Sequence, residues 1–494
     1  LTGERTPHAV LWALAGLTGL GLALRFASLG VQSYHHDEVI TAARVIPGDF
    51  AAMLRRVESS ESNPPLYYVL AWGWVKAFGT GEVGLRSLSA LFGTATVPVA
   101  YLIGRELASR RAGLIAAAIA AVNPMLIWYS QEARSYAALV FFGALALLFF
   151  VRALNRGGGR DLAWWALASG LALCSHYFAV FAVAIEAAWL AVALRSSWRL
   201  VLPAIAAVFA VGVALLPLIS TQVNPKHIGW IDHSALSSRI FETGVSFLAG
   251  ETGHVIAEPP RERYALIPAV LIAVALLLLI SRGSPRERRG GWLGVVVGLG
   301  VVLLASAAAL LGKDYVVERN LLPALVPLAA AVAVGLAAAG ARRIGLACAV
   351  VLCAYWLAFD VYVTHTPNLQ RPDFRDLAEQ LGPPTRPRAI VTWKLAADPI
   401  RFYLPGGSRR AYRGVVPVRE IDVVSKPVVA RKPVGLPPGF HPIERRRLER
   451  LTLIRYVSPH TQQVPFHVLR DALTGFGRNA VVADGVPSTA RTGR

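Results

Sequence analysis

Apolar runs of about the length that a helix needs to cross a bilayer follow one another from residue 9 to residue 364. Hydrocarbon offers no partner for backbone N–H and C=O groups, so such runs must fold as helices that bond internally. The runs are 9–29, 84–106, 112–129, 136–154, 161–175, 177–194, 200–220, 264–281, 291–312, 320–341 and 344–364. The stretch 161–194 is too long for one crossing and is divided at Ser175-His176-Tyr177. Of the 494 residues, 55% are hydrophobic and 16% charged, where a soluble domain has about 25% charged. The expected fold is an α-helical polytopic membrane protein with about 11 transmembrane helices.

Arginine and lysine set the orientation. One alternate set of loops carries Arg105, Arg110 and Arg111, then Arg156 and Arg160, then Arg195 and Arg199, then Arg282, Arg286, Arg288 and Arg289, then Arg342 and Arg343. These loops are expected in the cytoplasm, with the N-terminus. The first run lacks a small-residue cleavage site and reads as a retained span, not a signal peptide. The opposite loops, and everything after Thr364, are expected outside the plasma (inner) membrane. Three cysteines, Cys174, Cys348 and Cys353, all lie in apolar runs and form no CxxC pair.

The outer loop 30–83 is rich in signals. Asp49 should cap a helix carrying Phe50, Met53, Leu54 and Val57 at helical spacing, the pattern of a helix in the membrane interface. Pro65–Phe78 is apolar but short. Counting it as a span would turn every arginine-rich loop outward, so it reads as a re-entrant or interfacial helix. A second outer loop, 221–263, carries Lys226, His227, Trp230, Asp232 and His233 and an amphipathic stretch from Arg239 to Leu248. Beyond Thr366 the composition turns to Pro, Arg and Gly. A small mixed α/β domain is expected over 366–494, with a helix at Pro372–Leu381, strands at Ala389–Trp393 and Leu451–Val457, and a loose basic tail after about Gly475. Residues 1–365 would form the membrane module. The formal charge of +20 suits anionic head groups or a phosphorylated substrate. No basic module with interleaved aromatics points to nucleic acid.

Chemistry-bearing residues gather in the outward segments. Tyr34-His35-His36-Asp37-Glu38 follows the first run by a few residues. Ionisable groups packed there mark a candidate site. Asn63-Pro64-Pro65-Leu66-Tyr67-Tyr68, Trp128-Tyr129-Ser130-Gln131-Glu132-Ala133-Arg134-Ser135-Tyr136, His176-Tyr177 and Glu318-Arg319-Asn320-Leu321-Leu322-Pro323 face the same way. Glu186, inside the sixth run, reads as a partner for a neighbouring helix.

Taken in order, these motifs resemble the glycosyltransferase C superfamily, and within it the family of protein O-mannosyltransferases and lipid A aminoarabinose transferases. The resemblance spans roughly residues 9–365. It implies a GT-C type fold and inverting transfer of a single hexose or pentose from a polyprenyl phosphate to an acceptor hydroxyl on the outer face. The acceptor would be a glycan, lipid or protein. Asp37 matches the catalytic aspartate, the general base for the attacking hydroxyl; Glu38 is the alternative base or positions the acceptor. Arg134 and Arg319 are the first candidates for the donor phosphate, then Lys226, His227 and His176. Glu132, Asn63 and Tyr68 are candidates for positioning substrate, Glu132 by orienting Arg134. A divalent cation is left open, with His36, Asp37 and Glu132 as its candidate ligands. Aminoarabinose transferases carry Glu-Lys before the loop proline, where this chain has Ser62-Asn63. The phosphate-binding lysine and the metal-binding glutamate of that pair are therefore absent at those positions.

Two rival readings compete. One is an oligosaccharide ligase using a polyprenyl diphosphate. The other is a flippase for lipid-linked sugars, which should show two similar halves with broken helices at midplane; no such duplication is evident.

Overall fold

The structure, a computed structural model, describes residues 7–222, 234–251, 261–404, 408–411, 414–426, 435–472 and 479–485. Among the described residues, eight helices are long and apolar enough to cross a membrane: His8–Phe26, Glu82–Leu107, Tyr136–Arg156, Arg195–Gln222, Glu262–Arg282, Pro285–Leu310, Glu318–Leu336 and Ala339–His365. Arg110–Val122 and Pro124–Ser130 form a pair bent by 55°, which would make a ninth span. The remaining two runs form Gly159–Ser175 and Ala179–Ala193, of 17 and 15 residues. The chain is a multi-pass membrane protein, and each apolar run is helical.

Contacts divide the chain into two compact units. One takes in Leu1–Leu29, Val45–Glu251 and Ile256–Thr364; the other takes in Gly30–Arg44, Thr252–Val255 and His365–Arg494.

In the first unit, the bend at Asn123-Pro124 has a clear cause. Proline has no N–H, so the carbonyl of Ala120 loses its helical donor. Arg25, fully buried, replaces it: Nη2 donates to Ala120 O at 2.8 Å and Nη1 to Ala121 O at 3.0 Å. Asn123 then starts the next helix, its Oδ1 accepting from Leu126 N at 3.1 Å. Arg25 Nε donates to Ser130 Oγ at 3.2 Å, in a space that a side chain at Gly93 would fill. Asp360, on the last long helix, is the acid whose field reaches this guanidinium. Glu186 behaves as expected and accepts from Trp165 Nε1 at 2.8 Å.

The two helices expected within 30–83 also form. Asp49 Oδ1 accepts from Ala52 N at 2.7 Å and caps Phe50–Ser60. Its apolar face splits: Met53 and Val57 are buried, Phe50 and Leu54 remain on the surface. Pro65–Phe78 yields a helix at Leu66–Phe78, with 13 residues too short to count among the spans.

The second unit is a six-stranded sheet in the order β2-β6-β1-β3-β5-β4. The strands are β1 (Arg388–Trp393), β2 (Arg409–Ala411), β3 (Val415–Ser425), β4 (His441–Leu448), β5 (Leu451–Pro465) and β6 (Asn479–Asp484). β1 and β3 run parallel and the other pairs antiparallel. Strand alternation sends Ile390, Val424 and Val482 to one face, against the helix Phe374–Leu381, and Val391, Val423 and Val481 to the other. The chain beyond Gly475 is therefore not all tail. Asn479–Asp484 lies inside the sheet beside β1, because its four-residue apolar run, too brief to stand out in sequence, finds β1 and β2 on either side.

Arg388 lies at the start of β1, buried, with Nη2 2.5 Å from Asp484 Oδ2 and Nη1 3.6 Å from Asp422 Oδ2. Arg455 Nε donates to Asp422 Oδ1 at 2.9 Å. Burial still dominates at Asp422 and pushes its carboxyl up to about 6, although Arg455 pulls the other way.

Two predictions follow from this packing. Arg25→Met leaves two carbonyls unsatisfied in an apolar interior and should lower stability by about 2–4 kcal/mol, read as thermal unfolding in detergent. Asp422 keeps a proton in the folded domain that the unfolded chain releases, so its contribution to stability falls as pH rises from about 4 to about 6. Asp422→Asn should flatten that decline, measured as hydrogen-exchange protection of 415–425 across this range.

Candidate functional site

The loop motifs of the first unit gather around a buried ion pair. Arg134 follows the short helix Pro124–Ser130, whose position Arg25 and Ser130 fix. Its Nη1 lies 3.0 Å from Glu61 Oε1 and 2.9 Å from Glu61 Oε2. Both side chains are buried, at 8% and 3% exposure, so each charge depends on the other. The ring of Tyr68 lies 5.9 Å from the guanidinium, and its hydroxyl faces Glu61 and Asn63. Burial holds the Tyr68 phenol well above its usual range, so it stays protonated. Tyr67 Oη pairs with Ser89 Oγ at 2.9 Å, and Ser89 Oγ donates to Arg134 O at 3.3 Å. Gln222 closes the group: Nε2 donates to Val57 O and Asn63 O, and Oε1 accepts from Tyr177 Oη at 2.7 Å.

His176 ends the helix Gly159–Ser175. Burial first, then Arg134 and Arg319, push its imidazole down to about 3. It is neutral at working pH. Nδ1 accepts from Phe178 N at 3.3 Å, which assigns the proton to Nε2. His176 can therefore offer a neutral donor to a phosphate, without a positive charge. Arg319 lies in the 3-10 turn Glu318–Ala324. Upstream of that turn, Arg239 grips Asp314 through both carboxylate oxygens, at 2.7 and 2.5 Å, and donates to Val316 O at 2.9 Å.

Glu132 is buried, and its carbonyl accepts from Arg134 N at 2.8 Å. The carboxylate that sequence reasoning missed is Glu61. It stands one residue before the Ser62-Asn63 pair, so an acid is present close to the place where the family pattern has one. Lys226 and His227 lie outside the described residues. Among the described residues, no three His, Cys, Asp or Glu side chains gather closely enough to hold a metal ion.

In the second unit, Tyr34–Glu38 divides its two carboxylates. Glu38 is fully buried in a capping box of the short helix His36–Val39. Its Oε2 accepts from His35 N at 3.3 Å and lies 2.9 Å from His35 Nδ1. Asp37 is 30% exposed, with Oδ2 3.8 Å from His35 Nε2. His36 Nδ1 lies 3.5 Å from Asp398 Oδ2. Glu38 is fully buried, whereas the Asp37 side chain is 30% exposed.

Helical bundle and appended sheet together define a class: the chain has the glycosyltransferase C fold. Residues 62–220 match the family model described as dolichyl-phosphate-mannose-protein mannosyltransferase. Two solved structures share the fold. ArnT from Cupriavidus metallidurans in the apo state aligns with TM-score 0.58 and 13% identity over 91% of this chain and 98% of that one. The same protein bound to undecaprenyl phosphate aligns with TM-score 0.53 and 13% identity over 90% and 98%. No curated protein sequence matches.

Because the Arg134 charge has Glu61 within 3.0 Å in a buried setting, Glu61→Gln should cost about 3–5 kcal/mol locally. It should also lower turnover at least 10-fold, and Glu61→Asp should recover part of it. Thermal unfolding and initial rates on the same preparations check this.

Proposed function

We propose that this chain is an inverting glycosyltransferase that moves one sugar from a polyprenyl-phosphate donor to an acceptor hydroxyl on the outer face of the membrane. The observation that carries the reading is the division of labour at Asp37-Glu38: one carboxylate buried and bonded, its neighbour accessible. A general base must reach the proton that it removes, and the Asp37 side chain, 30% exposed, can be approached by an acceptor. The family match over residues 62–220 and ArnT, whose structure holds undecaprenyl phosphate, support the donor class.

In this reading the acceptor oxygen forms a bond to the anomeric carbon while Asp37 takes its proton. The bond from that carbon to the phosphate oxygen breaks, and polyprenyl phosphate leaves with the electron pair. One displacement inverts the centre. Charge building on the phosphate is met by the guanidinium groups of Arg134 and Arg319, which can bond two oxygens at once. His176 adds a neutral N–H, and Lys226 and His227 are further donors. Asn63, Tyr68 and Glu132 position substrate around the ion pair of Arg134 with Glu61. The N-terminus lies in the cytoplasm and the C-terminal sheet outside the plasma membrane, with the membrane lipids as neighbours.

The test incubates purified protein with radiolabelled polyprenyl-phosphate sugars, one at a time, with and without divalent metal. Release of polyprenyl phosphate or sugar transfer is expected with one of them. Asp37→Ala should lower turnover by about 10²–10⁴-fold while donor binding persists. Turnover of no donor, or an Asp37→Ala variant as active as the parent, defeats this reading.

A further inference from the structure

The segment Gly30–Arg44 is strapped down by residues that follow the last long helix. Phe374 N donates to Ser33 Oγ at 2.9 Å, and Ser33 Oγ donates to Pro372 O at 3.3 Å. Arg375 Nη2 donates to Gly30 O at 3.0 Å. Tyr34 N donates to Tyr403 Oη at 2.7 Å, and the Tyr34 ring meets Phe402 edge-on. Arg371 belongs to the same run. Its Nη1 lies 3.7 Å from Glu38 Oε2 and 3.4 Å from His35 Nδ1. Glu38 has 0% of its side chain exposed, so its carboxylate is held by protein neighbours and not by bulk water. The contacts form a chain from Arg371 to Glu38, from Glu38 to His35, and from His35 to Asp37.

We propose that Arg371 is a positioning residue for sugar transfer, which through Glu38 and His35 fixes where the Asp37 carboxylate points. The proposal rests on Asp37 as the base. Without the Arg371 guanidinium, the Glu38 carboxylate loses one of the contacts that hold it in place. Its hold on His35 N and Nδ1 then weakens, and the short helix His36–Val39 loses its cap. Asp37, the second residue of that helix, shifts with it. A misplacement of about 1 Å in a reacting group costs about 10²-fold in rate. The appended domain thus takes part in turnover.

The experiment uses the full-length protein with the sugar donor that it turns over. Arg371→Gln should lower kcat about 10- to 100-fold, with donor KM changed by less than about 3-fold. Arg371→Lys should recover most of kcat, since the contact runs through one nitrogen and an ammonium can replace it. Glu38→Gln added to Arg371→Gln should cost nothing further, because both act through one chain of contacts. Hydrogen exchange of the peptide covering 35–39 should speed up in Arg371→Gln at unchanged thermal midpoint, a readout that needs no turnover. Parental kcat per folded molecule, no recovery with lysine, additive losses, or unchanged exchange at 35–39 would each overturn the proposal. Asp37→Ala run alongside separates the two claims. An active Asp37→Ala removes the base assignment, whereas an inactive one beside a fully active Arg371→Gln removes only the positioning role.

Discussion

A proline inside an apolar bundle leaves a carbonyl without a donor, and the first unit is organised around how that carbonyl is satisfied. Pro124 frees Ala120 O, and Arg25 reaches from the first helix to bond it and Ala121 O. Water is not available to do this in hydrocarbon, so the arginine is the structural condition for the bend. The same guanidinium holds Ser130, and Gln131 Nε2 bonds Leu24 O, Arg25 O and Ser28 Oγ. Gly250, at φ 72°, ends the outer-loop helix Leu236–Ala249 against Pro124, where a side chain would collide. The segment that delivers Arg134 is thereby fixed from below and from the side.

Burial, more than residue type, assigns the candidate roles. Asp37 and Glu38 are adjacent carboxylates with nearly equal intrinsic chemistry. A capping box and a buried setting hold Glu38, whereas the Asp37 side chain stays 30% exposed. The same logic separates the cations. Arg134 keeps its charge because Glu61 compensates it, whereas His176, buried near two guanidiniums, loses its own. Arginine resists deprotonation far more strongly than imidazole, so one environment yields a cation and a neutral donor side by side.

Much of the architecture was legible in the chain itself. Hydropathy and run length located the membrane helices, and Asp49 announced the start of the helix Phe50–Ser60. The two short runs beside His176 and the bent pair at Pro124 were harder to count. They are helices whose length alone does not make a span. In the C-terminal sheet, two strands showed an apolar pattern, but the arginine-rich β4 and the six-residue β6 did not announce themselves. An edge strand tolerates charge, and a short strand owes its place to its neighbours.

The sequence by itself determined the helical membrane class and the short motifs that carry the candidate residues, because run length and residue chemistry are local properties. Only the tertiary structure decided that Glu61 is the partner of Arg134, that Arg25 closes the break at Pro124, and that Arg371 grips Glu38. Those pairs join residues distant in sequence. No local pattern encodes them, since a charge buried at one point constrains only the sign of its partner and not its position along the chain.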